Sequence, residues 1–115
     1  MSKEAQINFV VKLDDDNAPA EIFWGASEAD FEGLKPCESL LISMWDQVEK
    51  NTMSIDLWTK EMEVGEMSAH YYFTLMKMAD TYQRATKNDE LSEMIRAFAK
   101  EFAIKVEELA NKQTP

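Results

Sequence analysis

The sequence is poor in cysteine, glycine and basic side chains, and each shortage limits what the protein does. A lone cysteine, Cys37, leaves no partner for an intrachain disulfide, so an oxidising compartment offers no gain in stability. The three glycines, Gly25, Gly33 and Gly65, are too scattered to form a phosphate-binding loop.

Charge and hydropathy limit which partners and which compartment the sequence predicts. Twelve basic residues against twenty-two acidic ones give a net charge of −10, which disfavours nucleic acid and anionic membrane surfaces as partners. The sequence has no run of ~18 apolar residues to predict a membrane span, and no apolar run of signal-peptide length near its start. We therefore expect a cytoplasmic protein without direct membrane insertion.

The hydrophobic share of 45% excludes a disordered chain, and 115 residues suffice for one domain over residues 1–115. Apolar residues alternate over Ile7–Leu13, which predicts a half-buried strand. After an Asp-rich turn, a short apolar run ending at Gly25 completes a hairpin. Pro36 predicts the first turn of a short helix. Residues 41–45 and 53–59 predict a second hairpin, with the register open between a two-residue and a three-residue turn.

From Val64 onward the period becomes helical, and an apolar stripe predicts a first helix of about six turns whose apolar side faces the core. Asn88 is expected to be the N-cap of a second helix, with Asp89 and Glu90 in its first turn. The fold class is therefore predicted as α+β: an antiparallel four-stranded sheet of two hairpins, with two long C-terminal helices packed on one face. The stripe consists of Val64, Met67, Tyr71, Leu75, Met78, Tyr82 and Ala85.

Residues with catalytic or metal-binding chemistry form no recognisable set. His70 is the only histidine, and one His with one Cys cannot supply a zinc site. Nothing marks Ser68 or Cys37 as an activated nucleophile. The acidic run at residues 14–17 lacks the Gly and Glu that an EF-hand loop requires. We therefore expect no catalytic residue, no bound metal and no cofactor.

Hydrophobic surface is the remaining indication of function. Eight methionines and twelve aromatic residues are many for this length. Methionine adapts to irregular partners and aromatic side chains anchor interfaces, so these residues predict a homo-oligomer or a docking surface. The candidate interface residues, chosen by residue type and by falling outside the helical stripe, are Trp24, Trp45, Trp58, Tyr72, Phe73 and Met76.

Several segments resemble the GldC family of gliding-motility-associated proteins. They are SMWD at residues 43–46, and IDLWTKEM and MADTYQRAT within residues 55–86, with a looser likeness in INFVVKLDDDNAP. One position departs from the family pattern, since Glu63 stands where a proline precedes valine, which would weaken the start of the helix slightly.

The resemblance implies a small soluble protein associated with the gliding machinery that works alongside type IX secretion. It implies no enzymatic activity and no cofactor, and it carries over no site residues. The first functional hypothesis is a non-enzymatic accessory protein that contacts protein partners of the gliding machinery. The alternative is a SecB-like chaperone or binder of unfolded chains, an analogy of fold alone. A third class, an enzyme or small-molecule binder, would require a deep apolar cavity with convergent polar groups.

Overall fold

The computed structural model describes residues 3–112, which form five strands and two helices in two compact units. The first unit ends at Met62 and contains the strands, and the second begins at Glu63 and contains the helices. The α+β class is therefore confirmed. The assignment of one domain to residues 1–115 stays a prediction.

The first sheet is antiparallel, and its middle strand contains the most buried large side chain of the unit. In spatial order its strands are β1 (Ile7–Leu13), β2 (Pro19–Ala26) and β3 (Lys35–Cys37). Phe9 lies opposite Trp24, and Val11 lies opposite Ile22, which is buried. The predicted apolar face of β1 therefore meets apolar residues of β2 on the same side of the sheet.

The second sheet is a hairpin with a four-residue loop, longer than either turn considered from the sequence. Its strands are β4 (Ser39–Asp46) and β5 (Asn51–Trp58). The Asp46 carboxylate accepts hydrogen bonds from the backbone N–H groups of Val48 (2.9 Å) and Glu49 (2.7 Å). Lys50 has a left-handed φ of 54° and returns the chain to β5. Local side-chain chemistry at Asp46 thus fixes the register.

The predicted single four-stranded sheet is wrong, because the strands divide into a three-stranded and a two-stranded sheet. The predicted short helix at Pro36 is also wrong, since this proline lies in β3 opposite Phe23. A proline is tolerated there because an edge strand needs no N–H on its outer side. Glu38 alone separates β3 from β4, and its carbonyl accepts a hydrogen bond from the Thr59 N–H at 2.9 Å.

The two helices begin where the local chemistry predicts. They are α1 (Val64–Thr86) and α2 (Asp89–Lys112). The Glu66 carboxylate accepts a hydrogen bond from the Glu63 N–H at 3.0 Å, so the departure at Glu63 still leaves a capped start. Asn88 is the N-cap of α2, as predicted, because its side-chain oxygen accepts a hydrogen bond from the Leu91 N–H at 2.9 Å.

The most deeply buried residues of α1 and α2 are small. Only Lys87 and Asn88 connect the helices, so they run antiparallel as a helical hairpin. Ala79 on α1 and Ala99 and Ser92 on α2 are fully buried. The absence of bulk at these positions allows the two backbones to approach.

The apolar stripe predicted for the core side of α1 is not its most buried side. Tyr71 and Met78 are both exposed by nearly half or more, whereas Ala79 is fully buried. Apolar side chains cover two adjacent arcs of the α1 surface. The arc that contains Ala79 contacts α2 and is therefore the buried one. Hydrophobicity alone does not distinguish the two arcs.

Candidate interaction surfaces

The β4–β5 hairpin carries two of the predicted interface residues on one face. Trp45 pairs with Thr52 near the loop, and Trp58 pairs with Ser39 at the other end. Because side chains alternate along a strand, both indoles lie on the same face, ~20 Å apart along the hairpin. Trp45 is 67% exposed and Trp58 is 59% exposed. This surface is named the tryptophan face.

The opposite face of the hairpin is apolar along its length except at its loop end. Its members are Leu40, Ile42, Met44, Met53, Ile55 and Leu57, and this surface is named the methionine face. Leu40 is buried, whereas Met44, Met53 and Ile55 are about half exposed. Met44 and Met53 lie directly opposite each other, so two flexible side chains occupy the open part of this face.

A cavity of about 330 Å³ lies beside the tryptophan face and is lined by Trp58, Leu57, Asp56, Lys60, Ala18 and Pro19. The Lys60 ammonium forms an ion pair with the Asp14 carboxylate at 3.0 Å. Asp14 also accepts hydrogen bonds from the Asp16 and Ala18 N–H groups. The hydrogen bond from Lys60, followed by these backbone donors, lowers the pKa of Asp14. This ion pair therefore connects the β1–β2 loop, which contains Asp14, to the residues that follow β5.

The third tryptophan lies in a different environment. Trp24 is half-buried in β2 and contacts Phe31 edge to face, with ring centroids 5.0 Å apart. Lys35 pairs with Trp24 across β2 and β3, and its ammonium lies over the Phe31 ring. Trp24 packs within its own sheet, and the structure does not bring it together with Trp45 and Trp58 on the hairpin.

Of the three predicted residues of α1, two are half-buried and one is exposed. Tyr72 and Phe73 contact each other edge to face at 5.3 Å and line a cavity of about 260 Å³ with Ala103 and Val106 of α2. Met76 is half-buried and lies one turn from Tyr72, on the side of α1 that faces α2. Phe73 is exposed. The role of all three as interface residues stays a prediction.

The thiol of Cys37 and the imidazole of His70 belong to different units of the structure. Burial raises the pKa of the Cys37 thiol, which keeps it protonated and weakly nucleophilic at neutral pH. His70 is half-buried on α1, and its Nε2 atom has no hydrogen-bond partner among the described residues. Within residues 3–112, no three His, Cys, Asp or Glu side chains are grouped closely enough to hold a metal ion.

The methionine face contains none of the interface residues predicted from the sequence. Its alternating apolar residues were visible in each strand, but the register that unites them depends on Asp46. The six residues between Asp46 and Met53, of which only Val48 is apolar, were the available indication of a longer loop.

These features define a small α+β protein with open apolar surfaces. The model of the family described as gliding motility-associated protein GldC-like matches residues 19–108. The chain therefore belongs to the GldC-like family, and the resemblance read from its sequence is confirmed. No curated protein and no solved structure matches the chain.

The family description makes this a gliding-motility-associated protein. Within residues 3–112, neither α1 nor α2 combines the length and the hydropathy that a bilayer-spanning helix needs.

Proposed function

We propose that this protein is a cytoplasmic, non-enzymatic accessory protein of gliding motility that acts by binding protein partners of the gliding machinery. The observation that carries this proposal is the β4–β5 hairpin, which exposes large apolar side chains on both faces. Trp45 and Trp58 are exposed on one face, and Met44, Met53 and Ile55 on the other.

The energetics of a hairpin favour a covering partner. An isolated two-stranded hairpin is only marginally stable in water, and this one leaves Met44, Met53 and Ile55 about half exposed. Covering one large side chain contributes ~1.5–3 kcal/mol when it becomes fully buried. A protein partner that covers Met44, Met53 and Ile55 would gain this free energy and stabilise the hairpin at the same time. Tryptophan and methionine suit such a contact, because a tryptophan side chain anchors an interface and a methionine side chain adapts to irregular partner surfaces.

The test replaces the chromosomal gene in a gliding bacterium with a Met53→Glu variant. A carboxylate on the methionine face should abolish partner binding and slow gliding, because burying an unpaired charge opposes docking. Val48→Glu is the matched control, since Val48 is 84% exposed in the hairpin loop and lies outside both faces. Gliding at wild-type speed by a stably expressed Met53→Glu strain would contradict the proposal. A Trp45→Ala and Trp58→Ala double variant tests the tryptophan face in the same way.

A second candidate function is binding of unfolded chains, in the manner of the export chaperone SecB. The open methionine pair Met44 and Met53 favours it, because flexible thioethers accommodate varied apolar segments. This function predicts a tetramer in solution and a purified protein that slows the refolding of a denatured client. A protein that leaves client refolding unchanged excludes it.

A further inference from the structure

The helical hairpin has an apolar face that lies beside the contact between its helices. On α1 this face follows the stripe through Tyr71, Leu75, Met78 and Tyr82, and on α2 it follows Leu91, Ile95, Phe98, Phe102 and Leu109. Each helix has an arc that contains its buried alanine, Ala79 in α1 and Ala99 in α2. Viewed along the helix axis from the N-terminus, the stripe lies on the same rotational side of this arc in both helices. Because the helices are antiparallel, the two stripes lie on the same side of the hairpin. This surface is named the helical face.

The helical face is continuous and open. The Phe98 and Phe102 rings lie 6.4 Å apart on α2. Six of the side chains, namely Tyr71, Met78, Tyr82, Leu91, Phe98 and Leu109, are 36–56% exposed. At ~200 Å² for each large side chain, they leave roughly 550 Å² of surface open per copy. Two such faces together supply about 1,100 Å², close to the ~1,200 Å² at which specific interfaces begin.

Charge distribution favours pairing of two copies through their helices over pairing through their strands. Residues 63–115 carry nine acidic and seven basic side chains, a net charge of −2. Residues 1–62 carry thirteen acidic and five basic side chains, a net charge of −8. Two copies that meet through their helices therefore avoid most of the like-charge repulsion that a contact between strand units would create. No position that defines the helical face is charged.

We propose that two copies of this chain pair through their helical faces, so that two helical hairpins form a four-helix bundle. A two-fold axis through the face sets the same apolar patch of each copy against the other, which a patch without charged residues permits. The four helices then enclose Met78, Phe98 and Phe102 of each copy in one core, as in other bundles. This interface lies outside the hairpin faces used in the proposed function, so the two proposals fail independently.

The experiment is sedimentation equilibrium of the full-length chain over a range of protein concentrations. We expect the wild type to populate a species of twice 13.3 kDa. Phe98→Glu should weaken association ~100-fold or more, because pairing would bury two unpaired carboxylates. Ile104→Glu is the control of equal charge, since Ile104 is 58% exposed against 56% for Phe98 and lies on another side of α2. It should associate like the wild type.

Met78→Glu provides the same test from α1, and circular dichroism checks that each variant is folded. Association that is lost in folded Phe98→Glu or Met78→Glu and retained in Ile104→Glu supports the interface. A wild type that stays monomeric at every concentration overturns the proposal. Association that survives both substitutions on the helical face, or is lost equally in Ile104→Glu, also overturns it.

Discussion

The Arg96 guanidinium on α2 forms an ion pair with the Asp80 carboxylate on α1 at 2.9 Å. The same nitrogen of Arg96 donates a hydrogen bond to the side-chain oxygen of Gln83 at 2.7 Å, and its other terminal nitrogen pairs with Glu93 at 2.6 Å. The arginine side chain is mostly buried and is shared by three acceptors, two of them on the neighbouring helix. It therefore links the helices at a fixed register.

Acid should weaken this link. The hydrogen bond from Arg96 lowers the pKa of Asp80 below its ordinary value of 3.8. A carboxyl whose pKa is lowered by folding contributes stability above its unfolded-state pKa, and the contribution is lost as the pH falls through the folded-state pKa. We expect wild type to exceed Asp80→Asn in thermal midpoint at neutral pH, with a difference that shrinks as the pH falls below 3.8 and vanishes below the lowered folded-state pKa.

Glu101→Gln is the control for the loss of one negative charge, since Glu101 is exposed on α2 and belongs to no ion pair formed by Arg96. A difference between wild type and Asp80→Asn that is the same at neutral and acid pH would contradict the assignment of this ion pair.

The start of α2 depends on one side chain. Removal of the Asn88 cap in Asn88→Ala leaves the Leu91 N–H without its acceptor, and we expect a loss of ~1 kcal/mol in the free energy of unfolding. Asn88→Asp retains an acceptor oxygen and should stay within a few tenths of a kcal/mol of the wild type. Denaturant titration followed by circular dichroism measures both values. Equal losses in the two variants would argue against capping.

A close backbone approach in the first unit requires glycine at position 25. A Cβ atom added there would lie 2.7 Å from the Gly33 carbonyl oxygen and 3.1 Å from Leu34 Cδ2. Because backbone cannot move aside as a flexible side chain can, Gly25→Ala should destabilise the protein by ~1–3 kcal/mol.

Gly65→Ala is the matched control, because nothing lies within 4 Å of a Cβ atom at this position in the first turn of α1. We expect it to be neutral or to stabilise the protein by ~0.5–1 kcal/mol, since alanine restricts the unfolded chain. A Gly25→Ala variant as stable as Gly65→Ala would show that the strand unit can shift at this approach.

Local chemistry made part of the fold predictable. The alternation over Ile7–Leu13 predicted β1, and the cap residue Asn88 predicted the start of α2. Both features depend only on residues that are close together in sequence. The hairpin register was not predictable from residues 49–51, because several loop lengths suit a polar segment. The helix predicted at Pro36 was wrong because proline suits both a helix start and an edge strand.

The candidate site was less predictable than the fold. Residue type alone made all three tryptophans candidate interface residues. Trp45 and Trp58 are exposed to solvent, whereas Trp24 packs against Phe31. Whether an aromatic side chain is open depends on the neighbours that the fold brings against it, and residue type does not reveal them. On α1, the buried arc is marked by Ala79, a residue too small to stand out in a hydrophobic pattern.

The most direct test of the account is site-specific photo-crosslinking in living gliding cells. A photoreactive amino acid at position 53 should form an adduct with a component of the gliding machinery, because Met53 lies in the open part of the methionine face. The same amino acid at position 107, where Glu107 is exposed on α2, should not form that adduct. Identical adducts at both positions, or none at position 53, would contradict a role through protein contacts at the hairpin.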